Sequence, residues 1–165
     1  MITSASNKSI KNVQALLSKA KERKKQGVFV VEGPKMSFEA PYDWVSAVYM
    51  SESFFNDDRF KEEKKRFLDK TEVVSDSVFK SMSDTQTPQG VLAIVKMPHY
   101  EIDEFFKGDK TELLVLESIQ DPGNLGTMIR TGEGAGVSGI IMNRTTVDIF
   151  NPKTVRSTMG SLYRV

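Results

Sequence analysis

The sequence predicts an α/β protein, and three observations carry that expectation. Short apolar, β-branched runs recur along the chain: VFVVEG at 28–33, VSAVYM at 45–50, GVLAIV at 90–95, LLVLES at 113–118 and VSGIIM at 137–142. Between them lie segments whose apolar residues fall at helical spacing with charged residues on the opposite face. The balance of 39% apolar and 27% charged residues is that of a folded globular chain. Strands alternating with helices imply layered α/β structure, and neither a sandwich nor a bundle. At 165 residues there is room for one ordinary domain or two small ones.

Composition also removes function classes. The chain has no cysteine, which excludes disulfides, thiolate metal sites and a cysteine nucleophile. A single histidine, His99, stands between Pro98 and Tyr100 and reads as a solvent-facing linker residue, so no metal site is expected. No apolar run approaches the ~20 residues of a membrane span, and no signal-peptide core follows the basic N-terminus. A cytoplasmic protein without membrane contact is the expectation.

Taken in order, Ser6 or Asn7 caps a helix with Ile10, Val13, Leu16, Leu17 and Ala20 on one stripe, closed by a lysine-rich turn and Gly27. The strand at 28–33 leads into a short helix at 35–40 that Pro41 ends. The strand at 45–50 leads into a helix from Ser53 to Leu68, spaced through Phe54, Phe55, Phe60 and Phe67. A short strand at 72–74, a short helix at 77–82 and the strand at 90–95 complete this part. Residues 96–111, KMPHYEIDEFFKGDKT, break the rhythm; Pro98, Gly108 and scattered charge mark a linker, in which Ile102, Phe105 and Phe106 could dock as one helical turn. A second α/β count follows: the strands at 113–118 and 137–142, a helix within 121–136, and a helix at 152–164 with Pro152 in its first turn. Two strands and two helices do not cover both faces of a doubly wound sheet, so this part is expected to be a fragment or to borrow a layer from another chain.

Net charge is +1, but residues 1–27 hold Lys8, Lys11, Lys19, Lys21, Arg23, Lys24 and Lys25 against Glu22 alone. Such a face attracts polyanions, and it equally fits a solvated helix surface.

The stretch DPGNLGTMIRTGEGAG at 121–136 joins a strand to a helix. It is neither a P-loop nor a G-x-G-x-x-G fingerprint. Leu125, Met128, Ile129, Gly132 and Gly136 fall on one stripe, small enough in part for close approach to a neighbour. Arg130 lies about a quarter-turn from Ile129 at ~100° per residue and need not be buried. Asn124 is placed to cap the helix or to present its amide at the C-terminal edge of the sheet, where open α/β sheets bind ligands. An arginine there suits a phosphate or another oxyanion; the spacing equally fits a cap and a surface arginine. Ser157 and Thr158, inside the last helix, are expected to bond back to its backbone.

Three stretches resemble the SpoU (TrmH-like) family of RNA ribose 2′-O-methyltransferases, of the knotted SPOUT class. VVEGPKMSFEA at 30–40 and TPQGVLAIV at 87–95 are similar to that family's L30e-like substrate-binding domain. LESIQDPGNLGTMIRTGEGAGVSGIIM resembles its motif 1, followed by V-D-x-x-N-P-K…R-S-x-M-G from Val147 to Gly160. The resemblance covers essentially the whole chain. It implies an L30e-like RNA-binding domain at 1–96, a linker at 97–111, and the first part of a SPOUT methyltransferase domain at 112–165.

The resemblance further implies methyl transfer from S-adenosylmethionine to a ribose 2′-hydroxyl, of ribosomal RNA, by a homodimer. Asn124 and Arg130 match the motif 1 asparagine and the catalytic arginine. An arginine keeps its proton throughout the ordinary pH range and so makes an uneasy general base. Binding the adjacent phosphate and stabilising developing alkoxide charge suits it better, with Asn124 holding Arg130 and the turn in place. Lys8, Lys11, Lys21, Arg23, Lys24 and Lys25 become candidate RNA phosphate contacts. Glu32, with Gly33, reads first as shaping a turn and second as an RNA contact. Gly132 and Gly134–Ala135 depart from the Ala and Phe frequent in the family. Motifs 2 and 3, which build the cofactor pocket and the knot, do not occur in these residues, so no cofactor-binding residue is assigned and the chain alone is expected to be inactive. The rival expectation is a non-catalytic RNA-binding protein that works through its L30e-like domain.

Overall fold

The computed structural model describes residues 1–107 and 110–165; Gly108, one of the predicted linker signals, lies outside the described residues. The chain divides into two compact units, Met1–Met97 and Pro98–Val165.

The first unit runs α1 (Lys8–Ser18), α2 (Ala20–Gln26), β1 (Val28–Glu32), α3 (Pro34–Glu39), β2 (Val45–Ser51), α4 (Glu52–Asn56), α5 (Lys61–Arg66), β3 (Thr71–Val74), α6 (Asp76–Met82) and β4 (Val91–Lys96). Its four strands form one mixed sheet in the order β1-β4-β2-β3, antiparallel except for the β2–β3 pair. Strand side chains alternate between faces, and both faces are apolar here. On one side Val30, Tyr49, Leu92 and Ile94 pack with Ile10, Val13 and Leu16 of α1 and with Val78, Phe79 and Met82 of α6. Phe29, Val31, Val48 and Met50, of opposite parity and equally buried, face the other way, the side of α3 and α4. There Phe38 stacks at 6.1–6.3 Å on Phe54 and Phe67. A sheet between two helical layers results.

Two predicted helices are broken, each for a local reason. The first ends at Ser18 and restarts at Ala20, with Lys19 extended between them. The orphan carbonyls of α1 are capped by Arg23, whose guanidinium donates to Leu16 O at 2.8 Å and Leu17 O at 3.4 Å. Of the two predicted N-caps, Asn7 is the one used; it accepts from the Ser9 amide at 2.8 Å. The helix expected over 53–68 stops at Asn56 and resumes at Lys61. Asp57 accepts from the Arg59 amide at 2.8 Å and from its guanidinium at 2.7–3.0 Å, a local competitor with helical bonding. Phe60 follows in the left-handed region, φ 58°.

The second unit runs β5 (Leu113–Leu116), α7 (Pro122–Ala135), β6 (Gly139–Met142) and α8 (Pro152–Thr158). β5 and β6 pair in parallel, with α7 as the crossover between them. Leu116, Leu125 and Ile129 form its core, with Leu114, Ile140 and Met142 against them. The predicted helix at 152–164 is shorter than expected: Met159 and Gly160 take positive φ, and a 3-10 turn at Ser161–Tyr163 follows. Residues 98–107, expected to be linker, pack within this unit. A Cβ on Gly139 would lie 2.4 Å from the Phe105 ring, so that glycine is the seat of Phe105. Ile102 and Phe106 of the same turn stay exposed. His99 is 88% exposed, 3.0 Å from the Glu101 carboxylate. No helix among the described residues is long and apolar enough to cross a membrane, and no cluster of metal-ligating side chains occurs among them.

Candidate active site

Of the two roles open to Asn124, capping α7 or presenting its amide, the capping one falls to a residue three positions earlier. Asp121 is the N-cap: its Oδ1 accepts the Asn124 amide at 2.7 Å, and Pro122 takes the first helical position. Asn124 therefore sits inside the first turn, with its side chain exposed. The signal for the true cap, an Asp before a Pro at a helix start, was present in the sequence.

The buried stripe of α7 is Leu125, Gly126, Ile129 and Gly132. Gly126 is the contact with α8; a Cβ there would meet Ser157 Cβ at 2.3 Å and the Thr154 carbonyl at 3.0 Å. Gly132 faces Leu114 and Val137, each 3.3 Å from where its Cβ would be. Gly136, placed on the stripe by spacing, is instead the left-handed C-cap, φ 81°. Ser157 and Thr158 bond back to the carbonyls of Lys153 and Val155 at 2.8 and 2.7 Å, as expected.

Arg130 projects from the exposed side of this braced helix and makes no hydrogen bond or ion pair with another described residue. The acid nearest to it along the helix is already engaged. Glu133 accepts from Arg164 Nε at 2.9 Å and from Ser161 Oγ at 3.2 Å, and the arginine's hydrogen bond holds its carboxyl below the usual value of 4.5. Arg130 keeps all its donors for an external oxyanion. Asn124 does not hold it. Six residues along a helix place the two about 120° apart around the axis and ~9 Å along it. That part of the sequence reading is corrected by helix geometry.

At the C-terminal ends of β5 and β6 two loops are laced together. Asn143 Oδ1 accepts from the Ser118 amide at 3.0 Å and from Thr146 Oγ1 at 2.9 Å, and the Ser118 and Thr145 hydroxyls lie 2.8 Å apart. Gln120 donates to the Thr145 carbonyl at 2.7 Å. Ser118 is held at φ 55°, a conformation uncommon for serine. These residues were not singled out in the sequence, because the partners are about 25 positions apart and no local pattern links them. The lacing fixes the loop that feeds α7. It commits the Ser118, Gln120, Asn143, Thr145 and Thr146 side chains to the bracing of the two loops, while the Glu117 and Arg144 side chains between them stay exposed.

In the first unit, Lys8, Lys11, Lys21, Lys24 and Lys25 are exposed. Arg23 is not: it is 3% exposed and serves as the cap of α1, so it is withdrawn as an RNA contact. Glu32 is likewise engaged in structure, accepting from Ser83 Oγ at 2.6 Å and Thr85 Oγ1 at 2.7 Å. Its carboxylate anchors the 83–85 loop to the end of β1, the turn-shaping role, and would repel a phosphate.

Comparison with known proteins agrees with this division. The profile of the MRM3-like substrate binding domain matches residues 7–93, and that of the SpoU rRNA Methylase family matches residues 112–165. The 23S rRNA (guanosine(2553)-2′-O)-methyltransferase RlmP of Bacillus subtilis is 33% identical over 99% of this chain and 62% of its own length. The human protein named rRNA methyltransferase 3, mitochondrial, is 30% identical over 94% of this chain and 38% of its own. Among solved structures, an AdoMet-bound rRNA methyltransferase from Sinorhizobium meliloti superposes with a TM-score of 0.85 at 28% identity, covering 99% of this chain and 62% of that one. The SpoU methyltransferase AviRb from Streptomyces viridochromogenes, in complex with AdoMet, gives 0.81 at 26% identity, over 96% and 61%. The chain spans at most 62% of the length of these proteins. Its mixed α/β architecture is that of the SPOUT methyltransferases. The chain belongs to the SpoU rRNA methylase family, with an MRM3-like substrate binding domain ahead of its methylase segment.

Proposed function

We propose that the whole protein transfers a methyl group from S-adenosylmethionine to a ribose 2′-hydroxyl of ribosomal RNA, as a homodimer. The observation that carries the reading is Arg130: an exposed, unpartnered guanidinium on a helix packed from behind and fed by a laced loop, with its neighbouring acid engaged by Arg164. The cofactor supplies the methyl group. The chain's own part is to bind the phosphate next to the target ribose through the arginine fork and to stabilise the charge that develops on the 2′ oxygen. Asn124 presents its amide from the first turn of the same helix as a second polar contact to the substrate. Lys8, Lys11, Lys21, Lys24 and Lys25 draw the RNA to the first unit.

The test is methyl transfer by the whole protein to ribosomal RNA, read as alkali-resistant dinucleotides, since a methylated 2′ oxygen can no longer cleave the adjacent phosphodiester. Label recovered on a base, or an Arg130→Ala variant with near-normal turnover, would sink the reading. Sedimentation of the whole protein as a monomer would remove the dimer.

A further inference from the structure

A cleft of about 620 Å³ opens in the first unit at one end of its sheet, where the C-terminal ends of β1 and β2 meet the N-terminal end of β4. This is the size range of pockets that hold a single small ligand, roughly 300–1,000 Å³. Its walls include Phe54, Phe60, Arg59, Lys80 and Gln89. None of these was singled out in the sequence as an RNA contact.

Three features define what the cleft suits. The first is an aromatic stack with an open end. Phe54 and Phe60 lie 5.9 Å apart with their planes 22° from parallel. Phe54 is buried, whereas Phe60 is 39% exposed. Phe60 is also held at φ 58°, a left-handed conformation that is disfavoured for a bulky residue. The segment that holds it there is rigid: Asp57 grips Arg59, and the buried Lys64 ammonium donates to the carbonyls of Phe54, Phe55 and Asp57. An aromatic ring kept partly in water, in a costly backbone state, on a locked loop is a preformed stacking surface.

The second is charge. Arg59 and Lys80 stand with Asp57 and Asp76, and both carboxylates are engaged, Asp57 by Arg59 and Asp76 by the Ser53 amide and hydroxyl at 3.1 and 2.8 Å. Two cations and two anions leave the walls neutral, which disfavours a phosphate-dense duplex and suits a flat, neutral ring. The third is a free amide. Gln89 is exposed, and its carbonyl oxygen occupies the space a Gly33 side chain would fill, 2.6 Å from that Cβ position. An amide offers a donor and an acceptor side by side, the pattern of a base edge.

We infer that this cleft is a nucleobase pocket, in which an unpaired base of the RNA stacks on Phe60 and is read by the Gln89 amide. The inference rests on the RNA reading above and assigns the two parts of recognition to different places. The lysines between Lys8 and Lys25 give salt-dependent attraction to phosphates, and the cleft gives a salt-independent contact to one base.

The test uses the 165-residue chain, a fluorescein-labelled single-stranded pentaribonucleotide of mixed sequence, and two variants. Phe60→Gly removes the ring and relieves the left-handed strain but gives up its packing on Phe38 and Phe54, so a modest fall in melting temperature is expected, with the chain still folded at the assay temperature. It should weaken binding by roughly 5- to 100-fold, the value of one base–aromatic stack, with the slope of affinity against salt unchanged. A combined Lys21, Lys24 and Lys25 to Gln variant should flatten that slope and leave the amide chemical-shift changes at 53–60 and 89–90 in place. Wild-type affinity in Phe60→Gly, or shift changes confined to α1 and α2, overturns the pocket while sparing the RNA reading. A chain that binds neither this strand nor ribosomal RNA overturns both.

Discussion

The sheets of the two units differ in how much of themselves they bury. In the first unit every residue of β4 except Lys96 is buried, between helical layers on both faces. In the second, β5 buries only Leu116, and Val115 is 69% exposed. One sheet is finished by its own chain. The other is braced on the side of α7 and α8 and open on the side of Val115. The matched profiles divide along the same line: the substrate binding domain profile covers the finished unit, and the SpoU methylase profile covers the braced one with its arginine helix. Rigidity in the second unit therefore comes from specific devices, the Gly126 contact and the laced loops, more than from a deep core.

Four perturbations probe this contrast between the units. The largest effect is expected at Arg130. Its change to Ala should lower methyl transfer by the whole protein by about 10²–10³-fold, the scale of losing one charge-stabilising donor, with RNA affinity of the first unit nearly unchanged. Equal losses in affinity and turnover would mean the two units do not divide the work as described. Next is Gly126→Ala, which forces a methyl into Ser157 and should destabilise the second unit by about 1–3 kcal/mol. Hydrogen exchange should show faster opening of β5, β6 and α7 in that variant, and no change in β2 or β4. A smaller effect follows from neutralising Lys21, Lys24 and Lys25. The salt slope of RNA binding should fall by up to about 0.7 for each single-strand phosphate that is no longer neutralised. An unchanged slope would return these lysines to a plain solvated face.

The smallest effect is on pH. Glu133 has a folded-state pKa below its usual 4.5, so its hydrogen bond from Arg164 contributes fully above that value and is lost as pH falls through the lowered one. The link between α7 and the turn at Ser161–Tyr163 should loosen in that acid window, seen as a shift of the Ser161 and Arg164 amide signals. Loosening above pH 5 would assign the link to another group.

Much of the fold was legible because strand runs such as GVLAIV are bounded by turn residues and buried on both faces, which leaves little choice of structure. The helix ends were less so. Asn56-Asp57-Asp58 reads as a charged helix surface by spacing, but Asp57 turns on Arg59 and ends the helix. Arg23 sits among lysines and looks like one more surface cation, yet its planar fork reaches two carbonyls of α1 and is buried there. The exposure of Arg130 was legible from its position off the apolar stripe. The Asn143–Ser118 lacing was not, since it depends on parallel strands bringing two distant loops to one edge.

We propose that the second unit supplies the arginine without holding the methyl donor by itself. Titration calorimetry of S-adenosylmethionine into the 165-residue chain tests this most directly. No resolvable heat is the predicted result. One-to-one binding with a micromolar dissociation constant would mean that residues 113–165 form the cofactor site, and the division between the two units would have to be redrawn.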